Sequence, residues 1–294
     1  MTGILVGYTA TAAGADALAL GARVALATEG RLDIVLVLPS AERSVITPPD
    51  AGHDRLVRQT AEQWLRDAAG TVPDAVGTRA HVRYGESFAA GLIAAADELE
   101  ARMIVVGARD GGLRGRHRVG TVASELMHSS DVPVVLAPAG AGDIPVDAGL
   151  PRITVAIGTR PGGDVLIEEA VALAAAARAK IRLVSLAAVD LPPGVDTGAI
   201  RLTGATHADA VLAQARAALP AGVEAEAIVG AGESVEEAVQ ALPWQPTEIA
   251  MVGSSRLAQP RRLFLGSTAA KMLHVLPVPM AVVPRTRGAE GAHR

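Results

Sequence analysis

The sequence predicts an α/β protein with two repeated, open, mostly parallel five-stranded sheets and helices on both faces, a Rossmann-like architecture. Three observations carry that expectation. At 294 residues the chain is about twice the ~150 of a single domain. Half the residues are hydrophobic, yet the aromatics are two Trp, two Tyr and two Phe, so the core has to be built from Ala, Val, Leu and Ile. Above all, the chain is written twice. Ile104-Val105-Val106-Gly107 returns as Ala250-Met251-Val252-Gly253, and Gly120-Thr121-Val122-Ala123 as Gly266-Ser267-Thr268-Ala269, both at an offset of 146. Gly85-Glu86-Ser87 returns as Gly232-Glu233-Ser234 at 147, and the opening runs Ile4–Gly7 and Ile153–Ala156 match at 149. Offsets that drift by a few residues are what loop insertions leave between two copies of one unit.

The elements follow in order. In the first copy, strands are expected at 3–8, 33–38, 78–84, 103–107 and 132–137, with helices near 13–29, 53–69, 87–100 and 120–129. In the second, strands are expected at 152–157, 181–187, 223–229, 248–253 and 278–283, with helices near 163–179, 199–219, 234–242 and 266–275. The strand runs are continuous and rich in β-branched residues (Ile34-Val35-Leu36-Val37), the pattern of strands covered on both faces. Ser234-x-x-Glu237 reads as a capping box opening its helix. Trp64 keeps helical spacing from Leu56 and Thr60 and is assigned to the core. The aperiodic Gly/Ala/Pro run Pro138–Pro145 places the boundary. The domains are therefore expected at 1–138 and 152–285, with a linker at 139–151 and a polar tail at 286–294.

Composition narrows the function. Residues 1–150 hold 13 basic and 18 acidic side chains, net −5, and the rest hold 14 and 13, net +1. The whole chain, at −4, lacks the basic footprint of a nucleic-acid binder. With no Cys there are no disulfides, thiolate metal sites or Cys nucleophiles. No apolar run reaches the ~20 residues of a membrane helix, and the start lacks the pattern of a signal peptide. A soluble, cytoplasmic protein without nucleic-acid or membrane partners is expected.

The chemistry sits where the fourth strand of each copy ends. The first copy reads Gly107-Ala108-Arg109-Asp110, nine residues, then Gly120-Thr121; the second reads Gly253-Ser254-Ser255-Arg256, nine residues, then Gly266-Ser267. Ligands of open α/β sheets bind beyond the carboxyl ends of the strands. A Gly at a strand end allows close backbone approach, and a helix opening on Gly-Ser/Thr offers free N–H groups, a favourable dipole and a hydroxyl to a phosphate. Arg109, Arg114, Arg116 and Arg118 crowd the first loop, and Arg256, Arg261 and Arg262 the second. The plainer reading is that these glycines stop strands and cap helices. Retention of one spacing in both copies, while the residues between changed, points to a retained geometry.

With these motifs the chain resembles the universal stress protein family in its tandem, actinobacterial-type form. The resemblance runs over nearly the whole chain, including the Val132-Pro133-Val134 and Val278-Pro279-Met280 starts of the last strands. It implies a cytoplasmic stress-response regulatory protein that binds ATP or a related adenine nucleotide, with a nucleotide-associated Mg and no other metal. The nucleotide-binding residues it implies are Thr9, Gly107, Arg109, Gly120, Thr121, Gly253, Ser255, Arg256, Gly266 and Ser267. ATP-binding members carry G-x2-G-x9-G-[ST] and an Asp after the first strand. Here Asp110 and Arg256 replace the second Gly, and Thr9 and Gly158 hold the Asp position. A carboxylate at Asp110 repels an anionic ligand, which makes the second copy the better candidate. The resemblance also implies association through the final strands, either between the two copies of one chain or in a homodimer.

Two further readings stay open. One is a nucleotide-free interaction scaffold with degenerate sites. The other is a slow ATPase, for which Asp110 is the sole evident base. The seven His residues show no metal-ligand spacing, and His128 and His274 are expected at helix C-termini, where an imidazolium favours the dipole. Arg160-Pro161-Gly162-Gly163-Asp164 lacks the Lys and spacing of a phosphate loop and reads as a turn before a helix. Glu168 and Glu169 are adjacent and do not share a helix face. No nucleophile–base arrangement supports a dedicated enzyme.

Overall fold

A computed structural model of the chain describes residues 3–40, 51–108, 120–158, 163–188, 198–254 and 265–284. The first copy runs β1 (Gly3–Gly7), α1 (Ala12–Ala27), β2 (Arg31–Pro39), α2 (Ala51–Ala69), β3 (Gly77–Gly85), α3 (Phe88–Glu98), β4 (Met103–Gly107), α4 (Thr121–Ser129) and β5 (Val134–Ala137). The second runs β6 (Arg152–Ala156), α5 (Gly163–Ala177), β7 (Lys180–Ala188), α6 (Gly198–Ala217), β8 (Ala225–Gly232), α7 (Val235–Gln240), β9 (Ile249–Gly253), α8 (Ser267–Val275) and β10 (Met280–Val283). Every expected strand and helix is present, within a few residues at each end.

The strands form one sheet in the order β3-β2-β1-β4-β5-β10-β9-β6-β7-β8. Pairing is parallel within each copy. At the centre β5 and β10 run antiparallel, with Leu136 opposite Met280, Val135 opposite Ala281 and Val134 opposite Val282. The two five-stranded sheets are thus fused edge to edge, and the last strand of each copy covers the other's free edge.

Alternate residues of each strand feed two cores. Met103, Val105, Val135, Ile249, Met251 and Ala281 face α1, α2, α5 and α6. Ile104, Val106, Val134, Leu136, Ala250 and Met280 face α3, α4, α7 and α8. Both cores run unbroken from one copy into the other. Each copy reverses its strand order between its first and fourth strands, which splits the helices between the faces and leaves a crevice at the strands' carboxyl ends.

Three sequence readings change. Trp64 is not a core residue: it is 44% exposed, while Ala61, Leu65 and Ala68 form the buried stripe of α2. The capping box is shifted by one residue, since Ser234 Oγ accepts from the Glu237 N–H at 3.1 Å but the Glu237 carboxylate accepts from the Glu233 N–H at 2.9 Å. The segment after β5 is ordered by packing on α1: it forms two 3₁₀ turns, Ala141–Asp143 and Val146–Ala148. Asp16 of α1 accepts from the Gly140 and Gly142 N–H groups at 3.0 and 2.8 Å.

Each copy also buries a carboxylate, and the two differ. Asp33 on β2 is fully buried and accepts from Arg31, Arg79 and His81 at 2.7–2.9 Å. Burial alone would raise its pKa, but the hydrogen bonds from Arg79, Arg31 and His81 outweigh it and hold the carboxyl below its ordinary value. In the second copy Glu248, also fully buried, accepts from Arg152 at 2.6 Å and Thr154 at 2.8 Å. The Arg182 guanidinium reaches the same carboxylate at 3.3 Å and stacks 4.9 Å from the Trp244 ring centroid.

Candidate functional site

The second copy holds a cavity of about 290 Å³ at the carboxyl ends of β6, β7 and β9. It lies where the strand order reverses, the place at which open α/β sheets bind ligands. Its floor is Ile157 and Gly158 after β6, and Val252, Gly253 and Ser254 at the end of β9. Ser185 and Leu186 of β7 and Leu166 of α5 add a wall, and His207 and Val211 come from α6. Gly266, Thr268, Ala269 and Met272 bring the start of α8 to the opposite side. Among the described residues the lining is apolar except for Ser185, His207, Ser254, Thr268 and backbone.

Three local features give this cavity its chemistry. Gly253 leaves the floor open: among the described residues, a Cβ there would find Leu166 Cδ2 at 3.8 Å as its nearest neighbour. Gly266 is the N-cap of the nine-residue α8 and provides no side-chain cap, so the first-turn N–H groups face outward with the positive end of the dipole. Ser254 is 6% exposed, and its buried Oγ has no hydrogen-bond partner among the described residues. A buried hydroxyl without a partner is costly to the fold.

The equivalent place in the first copy is built differently. Four residues join β1 to α1, against six between β6 and α5. In the shorter loop the Thr11 N–H donates to the Thr9 carbonyl at 2.8 Å, and Thr11 Oγ1 caps α1 by accepting from Gly14 at 3.3 Å. That cap sets the first turn of α1 on β4, and a Cβ at Gly107 would run into the backbone of Ala13. One glycine of the repeated motif is therefore consumed by helix–strand packing, while its counterpart opens onto a cavity.

Gly253 and Gly266 come together across the cavity. Ser267 is the first residue of α8, and Thr268, next to it, is the residue that lines the cavity. Gly120 and Thr121 open α4 as N-cap and first residue, again without a side-chain cap. Thr9 sits in the β1–α1 loop with its hydroxyl 3.0 Å from that of Thr11. Arg109, Asp110, Ser255 and Arg256 lie outside the described residues, as do Arg114, Arg116, Arg118, Arg261 and Arg262. Sequence reading missed Ser185, His207, Ser254 and Thr268. Ser254 and Thr268 flank recognised motif positions and were within reach. Ser185 and His207 are brought in by the sheet order and the packing of α6, for which the sequence carries no local signal.

Among the described residues, no group of three or more His, Asp or Glu could hold a metal ion, and no helix is long and apolar enough to cross a membrane.

Fold and site together define a class: a tandem pair of doubly wound α/β units, joined through their last strands, with a switch-point cavity in the second. The sequence profile of the universal stress protein family matches residues 1–138 and again 150–284. The chain belongs to the universal stress protein family. It is 30% identical over 298 residues to universal stress proteins of Mycobacterium tuberculosis H37Rv and Mycobacterium bovis, covering 96% of this chain and 99% of theirs. A universal stress protein structure from Archaeoglobus fulgidus DSM 4304 superposes with a TM-score of 0.65 at 18% identity, covering 97% of this chain and 98% of that one. A structure described as a putative universal stress protein, from Pseudomonas aeruginosa UCBPP-PA14, gives 0.56 at 16% identity, covering 97% and 93%.

Proposed function

We propose that this protein is a cytoplasmic ligand-responsive regulator that binds one adenine nucleotide, at the cavity of the second copy. The observation that carries the reading is a cavity at the carboxyl ends of the strands that is floored by Gly253 and ends on the uncapped start of α8. Leu166, Leu186, Val211 and Met272 offer apolar walls to a purine base. Gly253 gives the sugar close access to the backbone, and the first turn of α8 supports a phosphate. At about 290 Å³ the cavity is at the small end of ligand sites, enough for a nucleoside with its phosphates directed toward α8. Ligand binding then biases how the surrounding loops present a surface to a partner.

The first copy serves as scaffold, and the packing of Ala13 on Gly107 favours that role. Because β5 and β10 cover one another, any homodimer uses a different surface. Isothermal titration of nucleotide-stripped protein with AMP, ADP and ATP tests the reading. One site per chain is expected, weakened tenfold or more by Ser254→Val or Gly253→Leu, on the order of one strong polar contact or a filled floor. No binding at millimolar nucleotide, or two equivalent sites per chain, would overturn it.

A further inference from the structure

We infer that the two copies carry an electrostatic code that keeps each strand with its own copy during folding. The code is an inversion of charge sign at three matched positions. On β2 and β7 these are Asp33 and Arg182, which lie beside the matching residues Leu5 of β1 and Thr154 of β6. On β3 and β8 they are Arg79, beside Asp33, and Glu226, beside Arg182. Immediately before β4 and β9 they are Arg102 and Glu248. The members of the three pairs are separated by 149, 147 and 146 residues, the spacings of the repeat itself. Each acidic position of one copy is thus basic in the other.

The inversion makes counterpart strands incompatible. Asp33, Arg182 and Glu248 are fully buried, so a mismatch among them is shielded from water. In place, Asp33 accepts from Arg79 at 2.8 Å, and Arg182 donates to Glu248 at 3.3 Å. Were β7 to take the place of β2, Arg182 would be buried beside Arg79, with Arg102 where Glu248 belongs. Were β2 to take the place of β7, Asp33 would be buried beside Glu226, with Glu248 close by. A charge buried against its own sign is strongly unfavourable. The need for such a code follows from the duplication. The apolar runs of β1 and β6, or of β4 and β9, are alike enough to exchange, and misassembly between repeats is a characteristic failure of such chains.

The test is refolding of the full chain from urea at about 1–50 µM, followed by size-exclusion chromatography with light scattering. Arg182→Asp combined with Glu226→Arg and Glu248→Arg gives both copies one polarity. Recovery of monomer is expected to fall about threefold or more, with dimers and larger species that grow with concentration. Leu183→Ala, which removes fully buried apolar volume from β7, controls for lost stability and is expected to refold to monomer. Adding Asp33→Arg, Arg79→Glu and Arg102→Glu restores opposite polarity and is expected to recover most of the monomer. That rescue separates a pairing code from a merely structural role, because three further changes at structural positions would otherwise only do more harm. The inference is overturned if the three-substitution variant refolds like the Leu183→Ala control, or if the six-substitution variant yields no more monomer than the three-substitution one.

Discussion

Arg23 on α1 is fully buried, and none of its three guanidinium nitrogens has a partner among the described residues. Burial pushes its pKa down to about 10, so it remains a cation at neutral pH and opposes folding. Because the folded-state value lies below the unfolded one, the penalty is complete below it and is relieved only as the pH rises through it. Arg23→Met keeps the volume and removes the charge; urea unfolding at neutral pH is expected to show a gain of about 2–3 kcal/mol. A loss of stability would mean that the guanidinium has an acceptor in solution. The two motif glycines supply a second prediction. Gly107→Ala drives a methyl into the Ala13 backbone and is expected to cost about 2–3 kcal/mol. Among the described residues Gly253→Ala meets only Leu166 Cδ2, at 3.8 Å, and it is expected to stay within about 0.5 kcal/mol. Thermal melts of the two variants check this. The pattern of glycines was readable in the sequence, but their division of labour was not. What divides them is the backbone each one meets: Ala13 at Gly107, and none among the described residues at Gly253.

Among the elements, the paired strands β2 and β3 are tied by Asp33 to Arg31, Arg79 and His81. The depressed pKa of Asp33 means that its contribution is present above the ordinary carboxylate value, about 4, and is lost as the pH falls through its lower folded-state value. Asp33→Asn is expected to cost about 3 kcal/mol at neutral pH and to flatten the decline of stability below about pH 4. Urea midpoints from pH 3 to 7 (roughly the range in which carboxylates titrate) measure both effects. An unchanged acid limb would show that Asp33 titrates alike in both states. Element positions were legible because apolar runs and Gly, Pro and Ser boundaries agree locally with the final structure, as at β4 and α8. Trp64 was not, because its helical spacing also describes the flank of α2, and only docking on the sheet picks out Ala61, Leu65 and Ala68 as the buried stripe. The ion clusters were equally hidden, since Asp33 meets Arg79 and Glu248 meets Arg182 across strands and loops distant in sequence.

At the scale of the whole molecule, the β5–β10 seam makes two copies into one structure, with both cores continuous across it. The Glu29–Arg178 ion pair spans the copies at 3.3 Å, but both side chains are more than 80% exposed, so it adds little. Cooperativity therefore resides in the seam. Trp64 reports on the first copy and Trp244 on the second, so single-Trp variants followed by fluorescence are expected to give coincident urea transitions. Ala281→Asp, which buries a charge opposite Val135, is expected to lower both midpoints together by about 3–5 kcal/mol. Separate transitions would show that the copies fold independently. By itself, the sequence determined the duplication, the order of strands and helices and the family, because these rest on periodicity and local turn chemistry repeated twice. Only the tertiary structure decided that the two sheets are one, that the first copy's glycine is packed against α1, and that Ser254 lines a cavity in the second copy. Those outcomes depend on which surfaces meet across the chain, and residues brought together by folding leave no shared pattern along it.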